Sequence, residues 1–101
     1  MATFENESLG TKFDLPEKIT VRQQMAYRGR VYSGASYTED VFLRHWFGAV
    51  GLLQNWESVV LPDPTELDID NETDPQIADV IMWAGNAVAS HMLALERVEK
   101  N

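Results

Sequence analysis

Two histidines, a run of alternating carboxylates and three tryptophans are the residues of this chain whose types could do chemistry. His45 and His91 fall on different predicted helices, and no serine and carboxylate are spaced to complete a nucleophile–base–orienter set with either. No serine stands in a Gly-x-Ser-x-Gly elbow. Gly48 and Gly51 sit inside a helical pattern with no strand before them, so they do not form a phosphate loop; the pair marks close backbone approach of a neighbouring helix. His91 lies in an apolar stripe near Val88 and Leu95 and reads as a partly buried histidine whose ring nitrogens find local partners. The chain has no cysteine, which excludes disulfides, thiolate catalysis and Cys-ligated zinc or iron–sulfur centres. No catalytic residue, no cofactor and no enzymatic activity are expected.

The carboxylates concentrate in one place. Asp68-Ile-Asp70-Asn-Glu72-Thr-Asp74 sets oxygen ligands at alternate positions, and Asp79 falls where a twelve-residue calcium loop would end. Such a loop needs glycine at its sixth position and a bidentate glutamate at its last; here these are Thr73 and Asp79. A helix start at Asp74-Pro75 also falls inside the would-be loop, so no metal site is expected. Solvated acids favouring the positive end of the following helix are the simpler structural account, each worth about 0.3–1 kcal/mol.

The chain is 101 residues with 16 acidic and 8 basic side chains, a formal charge of -8. That balance argues against a nucleic-acid binder working through a basic face and against attraction to an anionic membrane. The surplus is local. Residues 57–79 hold eight acids and no base, whereas residues 1–36 hold five bases against four acids. Eight carboxylates exceed what a helix cap requires. Mutual repulsion should extend this segment and leave it available to a basic partner, through Asp63, Glu66, Asp68, Asp70 and Glu72. Trp46 and Trp56 lie on a broad apolar face and read as core. Trp83 projects at the edge of its stripe and is the first aromatic anchor for a partner; as a structural account, the segment 57–73 covers it as a rim residue.

The elements that must position these residues read as mostly α. Residues 1–16 form an arm: Phe4, Leu9, Phe13 and Leu15 follow no helical or strand period, and nothing in 4–15 decides between an irregular arm and a small hairpin. Thr20-Val-Arg-Gln23 is a capping box that opens a first helix over about 21–32. Ser36-Tyr-Thr-Glu39 is a second box, with Thr38 an alternative cap, and the helix it opens is expected to run to about Trp56, roughly 30 Å. Pro62-Asp-Pro64 interrupts helix formation in the acidic connection 57–73. The third helix starts at Asp74-Pro75 and runs to about Arg97, with Ile77, Val80, Ile81, Ala84, Val88, Met92 and Leu95 in one stripe. The expectation is a compact three-helix domain over 17–101, with an N-terminal arm over 1–16 and a long acidic loop between helices 2 and 3. Met1 to Lys12 lacks the basic and apolar regions of a signal peptide, and the longest greasy run, Val41 to Leu53, is broken by Arg44 and His45. No membrane segment is therefore expected, and a cytoplasmic setting is.

Phe13-Asp-Leu-Pro-Glu-Lys-Ile-Thr-Val-Arg-Gln-Gln24, the Trp-rich segment ending Gln54-Asn-Trp56, the Pro-containing acidic loop, and Ile81-Met-Trp-Ala-Gly-Asn86 follow one another over residues 13–101. In this order they resemble the small helical proteins of tailed-bacteriophage structural cassettes, of the tail assembly chaperone type. The resemblance implies a non-catalytic protein of the infected bacterial cytoplasm that coats the tape measure protein during tail assembly and is absent from the finished virion. It carries no residue-level binding motif onto this chain.

Two classes of function follow. An assembly chaperone would bind a long helical partner through apolar grooves, with little loss at raised salt. An acidic inhibitor or decoy of a nucleic-acid-binding enzyme would bind through residues 57–79. Its affinity would fall steeply as screening lengths shorten to ~3 Å at 1 M salt. A minor virion structural protein is a variant of the first class, separated by finding the chain in purified particles. Broad apolar helices on so small a domain also leave room for a homo-oligomer.

Overall fold

Phe13, assigned to the arm by sequence, is fully buried and sits at the centre of the molecule. The structure, a computed structural model, describes residues 1–34, 41–61, 67, 68 and 70–99, with side chains described for all of these but 32–34, 41 and 96–99. The element order is β1 (Ala2–Asn6), β2 (Thr11–Leu15), α1 (Val21–Gly34), α2 (Val41–Ala49), β3 (Gln54–Ser58) and α3 (Pro75–Glu99). The three strands form one antiparallel sheet in the order β1-β2-β3. The fold is therefore α+β, which corrects the expected mostly-α three-helix domain with an N-terminal arm.

The arm is a hairpin. Phe4 pairs with Phe13 across β1 and β2, and their rings stack 5.3 Å apart. Asn6 closes the turn by accepting the Leu9 N–H at its side-chain oxygen (3.2 Å), and Gly10 takes a left-handed φ of 61° that a side chain would resist. Thr11, Phe13 and Leu15 then face the helices, while Lys12 and Asp14 alternate to the other side, half exposed. Two five-residue strands with one or two large apolar residues each leave no period to count. Their pairing is visible only once the partner strand is in place.

The second correction concerns the second helix. It ends at Ala49 rather than near Trp56, and the chain turns through Leu52, whose N–H donates to the Ala49 carbonyl (2.7 Å). Gly48 and Gly51 each weaken a helix by about 1 kcal/mol relative to alanine, so propagation beyond this point has little intrinsic support. The open edge of β2 offers hydrogen bonds instead, and Gln54–Ser58 takes them as β3. The register slips between Lys12 and Asp14, where Asn55 sits at φ 52° in a bulge that sets Trp56 beside Phe13, ring centroids 5.9 Å apart. The second capping box, Ser36–Glu39, lies outside the described residues.

Other local expectations hold. Thr20 and Gln23 exchange hydrogen bonds as a capping box, Gln23 N–H to Thr20 Oγ1 (3.1 Å) and Thr20 N–H to Gln23 Oε1 (2.9 Å). Asp74 caps α3 by accepting the Gln76 N–H at 2.9 Å. Of the predicted stripe, Ile77, Val80, Ile81, Ala84, Val88 and Met92 are buried and Leu95 is half-buried. The stretch Pro75–Leu95 is also long and apolar enough, by length and composition alone, to cross a membrane, with a mean hydropathy of 1.2. Polar residues dispersed through it hide this from a search for uninterrupted runs.

α2 is clamped between α1 and α3 at two glycines. A Cβ on Gly48 would meet the side chains of Val31 at 2.7 Å and Tyr27 at 2.9 Å, so α1 comes close there through side chains and not by the expected backbone approach. Gly51, expected in the same helix, lies beyond its end and faces the Arg30 side chain. Gly85 of α3 approaches the backbone of Phe42 on the other side. The core then runs from Phe4 and Phe13 on the sheet, through Trp46 of α2, to the buried stripe of α3.

Candidate functional site

An open groove lies at the first two turns of α3, beside Leu43 of α2. Leu43, Leu67, Ile77, Ala78, Ile81 and Met82 line it, with Glu72 and Asp74 also on its wall, around a volume of about 220 Å³. An apolar cavity of ~150 Å³ accommodates a benzene ring, so this groove has room for one or two apolar side chains. Leu43, Ile77 and Ile81 are buried, whereas Met82 is 50% exposed.

The carboxylates beside the groove are held by their own backbone. Glu72 Oε1 accepts the N–H groups of Thr73 (3.0 Å) and Asp74 (3.2 Å), and Asp68 accepts the Asn71 side-chain amide at 2.7 Å. These bonds fix the entry to α3 and leave the negative charge exposed. Among the described residues, no three of His, Asp and Glu come together to hold a metal ion.

Of the described residues proposed for partner binding, Asp68, Asp70, Glu72 and Trp83, the groove is lined by Glu72. Asp68 and Asp70 are exposed on the connection leading to it. Asp63 and Glu66 lie outside the described residues. Trp83 is half-buried with its ring edge-on to Phe13, centroids 5.5 Å apart, and belongs with the aromatic cluster of the core. The apolar lining escaped the sequence reading. A signal existed: Ala78 and Met82 widen the stripe of α3 at its N-terminal end, next to Ile77 and Ile81, where a core-only helix needs no extra apolar breadth.

A second cavity, about 190 Å³, opens between the helices and is lined by Tyr27, Arg28, Val31, His45, Ala89, Met92 and Leu93. The Tyr27 hydroxyl hydrogen-bonds His45 Nδ1, and the two rings lie 5.8 Å apart. None of these lining residues is a carboxylate that could orient the imidazole, nor a serine or threonine nucleophile. The pair anchors α1 to α2. His91 on α3 is likewise structural: its Nε2–H donates to the Pro16 carbonyl at 2.8 Å and its ring meets Phe4 edge-on, which ties α3 to the end of the sheet.

His45 nonetheless makes the fold sensitive to pH. Burial of the ring, and then the charge of Arg44, hold its pKa below the usual 6.5. The unfolded chain therefore binds this proton more readily than the folded one. The stabilisation is complete above the unfolded value and is lost as pH falls through the lowered folded value. The urea midpoint should drop on acidification from about pH 7.5 to about pH 5, and His45→Gln should flatten that slope. Equal slopes in the two proteins would refute the assignment. Asp14 acts in a separate window: hydrogen bonds from Asn55 (2.7 Å) and Thr3 (2.7 Å) hold its carboxyl below the usual 3.8, so its contribution is lost only in stronger acid.

Compared with protein families, with characterised proteins and with solved structures, the chain matches none.

Proposed function

We propose that this chain is a non-catalytic binding protein of the assembly-chaperone kind, which holds an apolar, basic-flanked helix of a client in the groove at the start of α3. The groove itself carries the proposal: a buried apolar floor of Leu43, Ile77 and Ile81 that is open to solvent and bordered by Glu72 and Asp74. A floor of this kind takes side chains spaced one helical turn apart, and carboxylates at its rim orient a helix whose flanks are basic. The resemblance to tail assembly chaperones supplies the client class, a long helical protein such as the tape measure protein, met in the cytoplasm of an infected bacterium. The alternative, an acidic decoy for a nucleic-acid-binding enzyme, would place the affinity on the carboxylates. Glu72 and Asp74 stand on the wall of an apolar groove, and a decoy acting through charge alone would have no use for that floor, so the groove reading is preferred.

A designed amphipathic peptide of about 20 residues, with paired Leu and Met anchors and Lys/Arg flanks, tests this by fluorescence anisotropy. Met82→Glu should weaken binding roughly tenfold or more, which corresponds to about 1.4 kcal/mol. Leu93→Glu is the control, because Leu93 is as exposed as Met82 (51% against 50%) and lies on the same helix outside the groove. Raising salt should cost no more than several-fold, through screening of the basic flanks, whereas a loss of several orders of magnitude would favour the decoy. Failure to bind the peptide, or equal effects of the two substitutions, would overturn the proposal.

A further inference from the structure

The first two turns of α1 carry the shape and charge that the groove lacks. Val21 and Met25 stand one turn apart and are 77% and 68% exposed, and every residue from Val21 to Ala26 except Gln24 is exposed. α1 is held to the rest of the fold further along, where Tyr27 and Val31 are buried around Gly48 of α2. Lys18 and Arg22, both exposed, flank the two apolar side chains, and the chain carries no acid between Lys18 and Thr38. The groove inverts this: apolar floor, two carboxylates on its wall, and no base anywhere from residue 57 to 79. Val21, Met25 and Met82 are all exposed within a single chain, so the chain does not close its own groove with its own helix.

We propose that the occupant of the groove, when no client is bound, is α1 of a second copy. Val21 and Met25 of one copy enter between Leu43, Ile77, Ile81 and Met82 of the next, and Lys18 and Arg22 meet Glu72 and Asp74. The inference rests on the groove being a helix-binding site, and it names which helix. The two surfaces are different parts of one molecule, so the contact is head-to-tail: each copy gives a helix and takes one, and the assembly grows as a ring or chain instead of closing as a two-fold dimer. A client helix and a second copy compete for one site. Client binding therefore disassembles the oligomer.

Sedimentation of the full chain over a range of concentrations tests this. The wild type should gain mass with concentration, and the association should weaken several-fold between low and high salt as the Lys18/Arg22 attraction is screened, with Debye lengths of ~30 Å at 0.01 M and ~3 Å at 1 M. Met25→Asp and Met82→Asp alter exposed side chains and should each leave a folded monomer by circular dichroism. Mixed in equal amounts, they should form a 1:1 pair that does not grow further, because the first retains a working groove and the second a working helix. A wild type that stays monomeric, either variant still self-associating, or a mixture that stays monomeric would each overturn the inference. The designed peptide separates the two levels. If Met25→Asp still binds it, the groove stands even where self-association fails; if no form binds it, the groove assignment fails as well.

Discussion

Replacing Phe13 with alanine should lower the free energy of unfolding by about 3–5 kcal/mol, a large share of the ~5–15 kcal/mol that holds a typical domain together. Phe13 is fully buried and touches an aromatic ring from four other elements: Phe4 of β1 at 5.3 Å, Trp83 of α3 at 5.5 Å, Trp56 of β3 at 5.9 Å and Trp46 of α2 at 6.5 Å. Removing the ring opens a cavity whose walls are rigid aromatic faces on separate elements, and such walls collapse poorly. The loss should therefore fall toward the upper end of the range. All three tryptophans of the chain lie around this residue, so their fluorescence reports the change directly in a urea titration. Phe13→Leu keeps most of the volume and should cost ~1.5 kcal/mol or less. Deleting residues 1–16 should unfold the protein outright, whereas deletion of a free arm would leave the midpoint unchanged. A Phe13→Ala variant within about 1 kcal/mol of wild type would show that the sheet does not complete the core.

Gly85→Ala should destabilise the fold by about 1–3 kcal/mol or more, against the trend of helix propensity. In the middle of an isolated helix the same change gains up to ~1 kcal/mol. Here a Cβ would stand well inside van der Waals contact of the Phe42 carbonyl oxygen and 2.6 Å from its carbon. These are backbone atoms of α2, so relief requires the two helices to move apart. Gly29 is the internal control. Nothing lies within 4 Å of the Cβ it would carry, and Gly29→Ala should stabilise by the propensity term alone. With roughly 4–8 °C of melting temperature per kcal/mol in a domain of this size, the two alanines should move the midpoint in opposite directions by amounts easily resolved. Shifts of the same sign would mean that the α2–α3 contact is looser than the structure has it.

The two glycines also show where sequence reading succeeds and where it stops. At Gly48, a glycine in an otherwise apolar helix pattern marks a tight contact with a neighbouring helix, made by the Tyr27 and Val31 side chains and not by backbone, while Gly51 lies past the helix end. Gly85 carried the same signal inside the clearest amphipathic stripe of the chain, and the regularity of that stripe masked it. The groove was missed for a related reason. Ala78 and Met82 broaden the apolar face of α3, but breadth on one helix does not say whether a neighbour covers it. At this end of α3 Met82 is left exposed among the described residues. Of the acids proposed for partner binding that the structure describes, Glu72 lines the groove and Asp68 and Asp70 do not, since charge density along the chain does not specify which carboxylates border an apolar floor.

From its sequence alone, this protein's local commitments are determined. The capping box at Thr20 and Gln23, the start of α3 at Asp74-Pro75 and the buried stripe from Ile77 to Met92 depend on residues within a few turns of one another, and spacing encodes them. So is the confinement of the negative charge to residues 57–79, which composition states directly. Only the tertiary structure decided that residues 2–15 are a hairpin, that the second helix stops at Ala49, and that Gln54–Ser58 joins the sheet. Each of these depends on backbone hydrogen bonds and ring contacts between residues far apart in the chain. A five-residue strand has too few internal interactions to favour its own conformation, so its identity resides in the partner edge and in the aromatic cluster around Phe13.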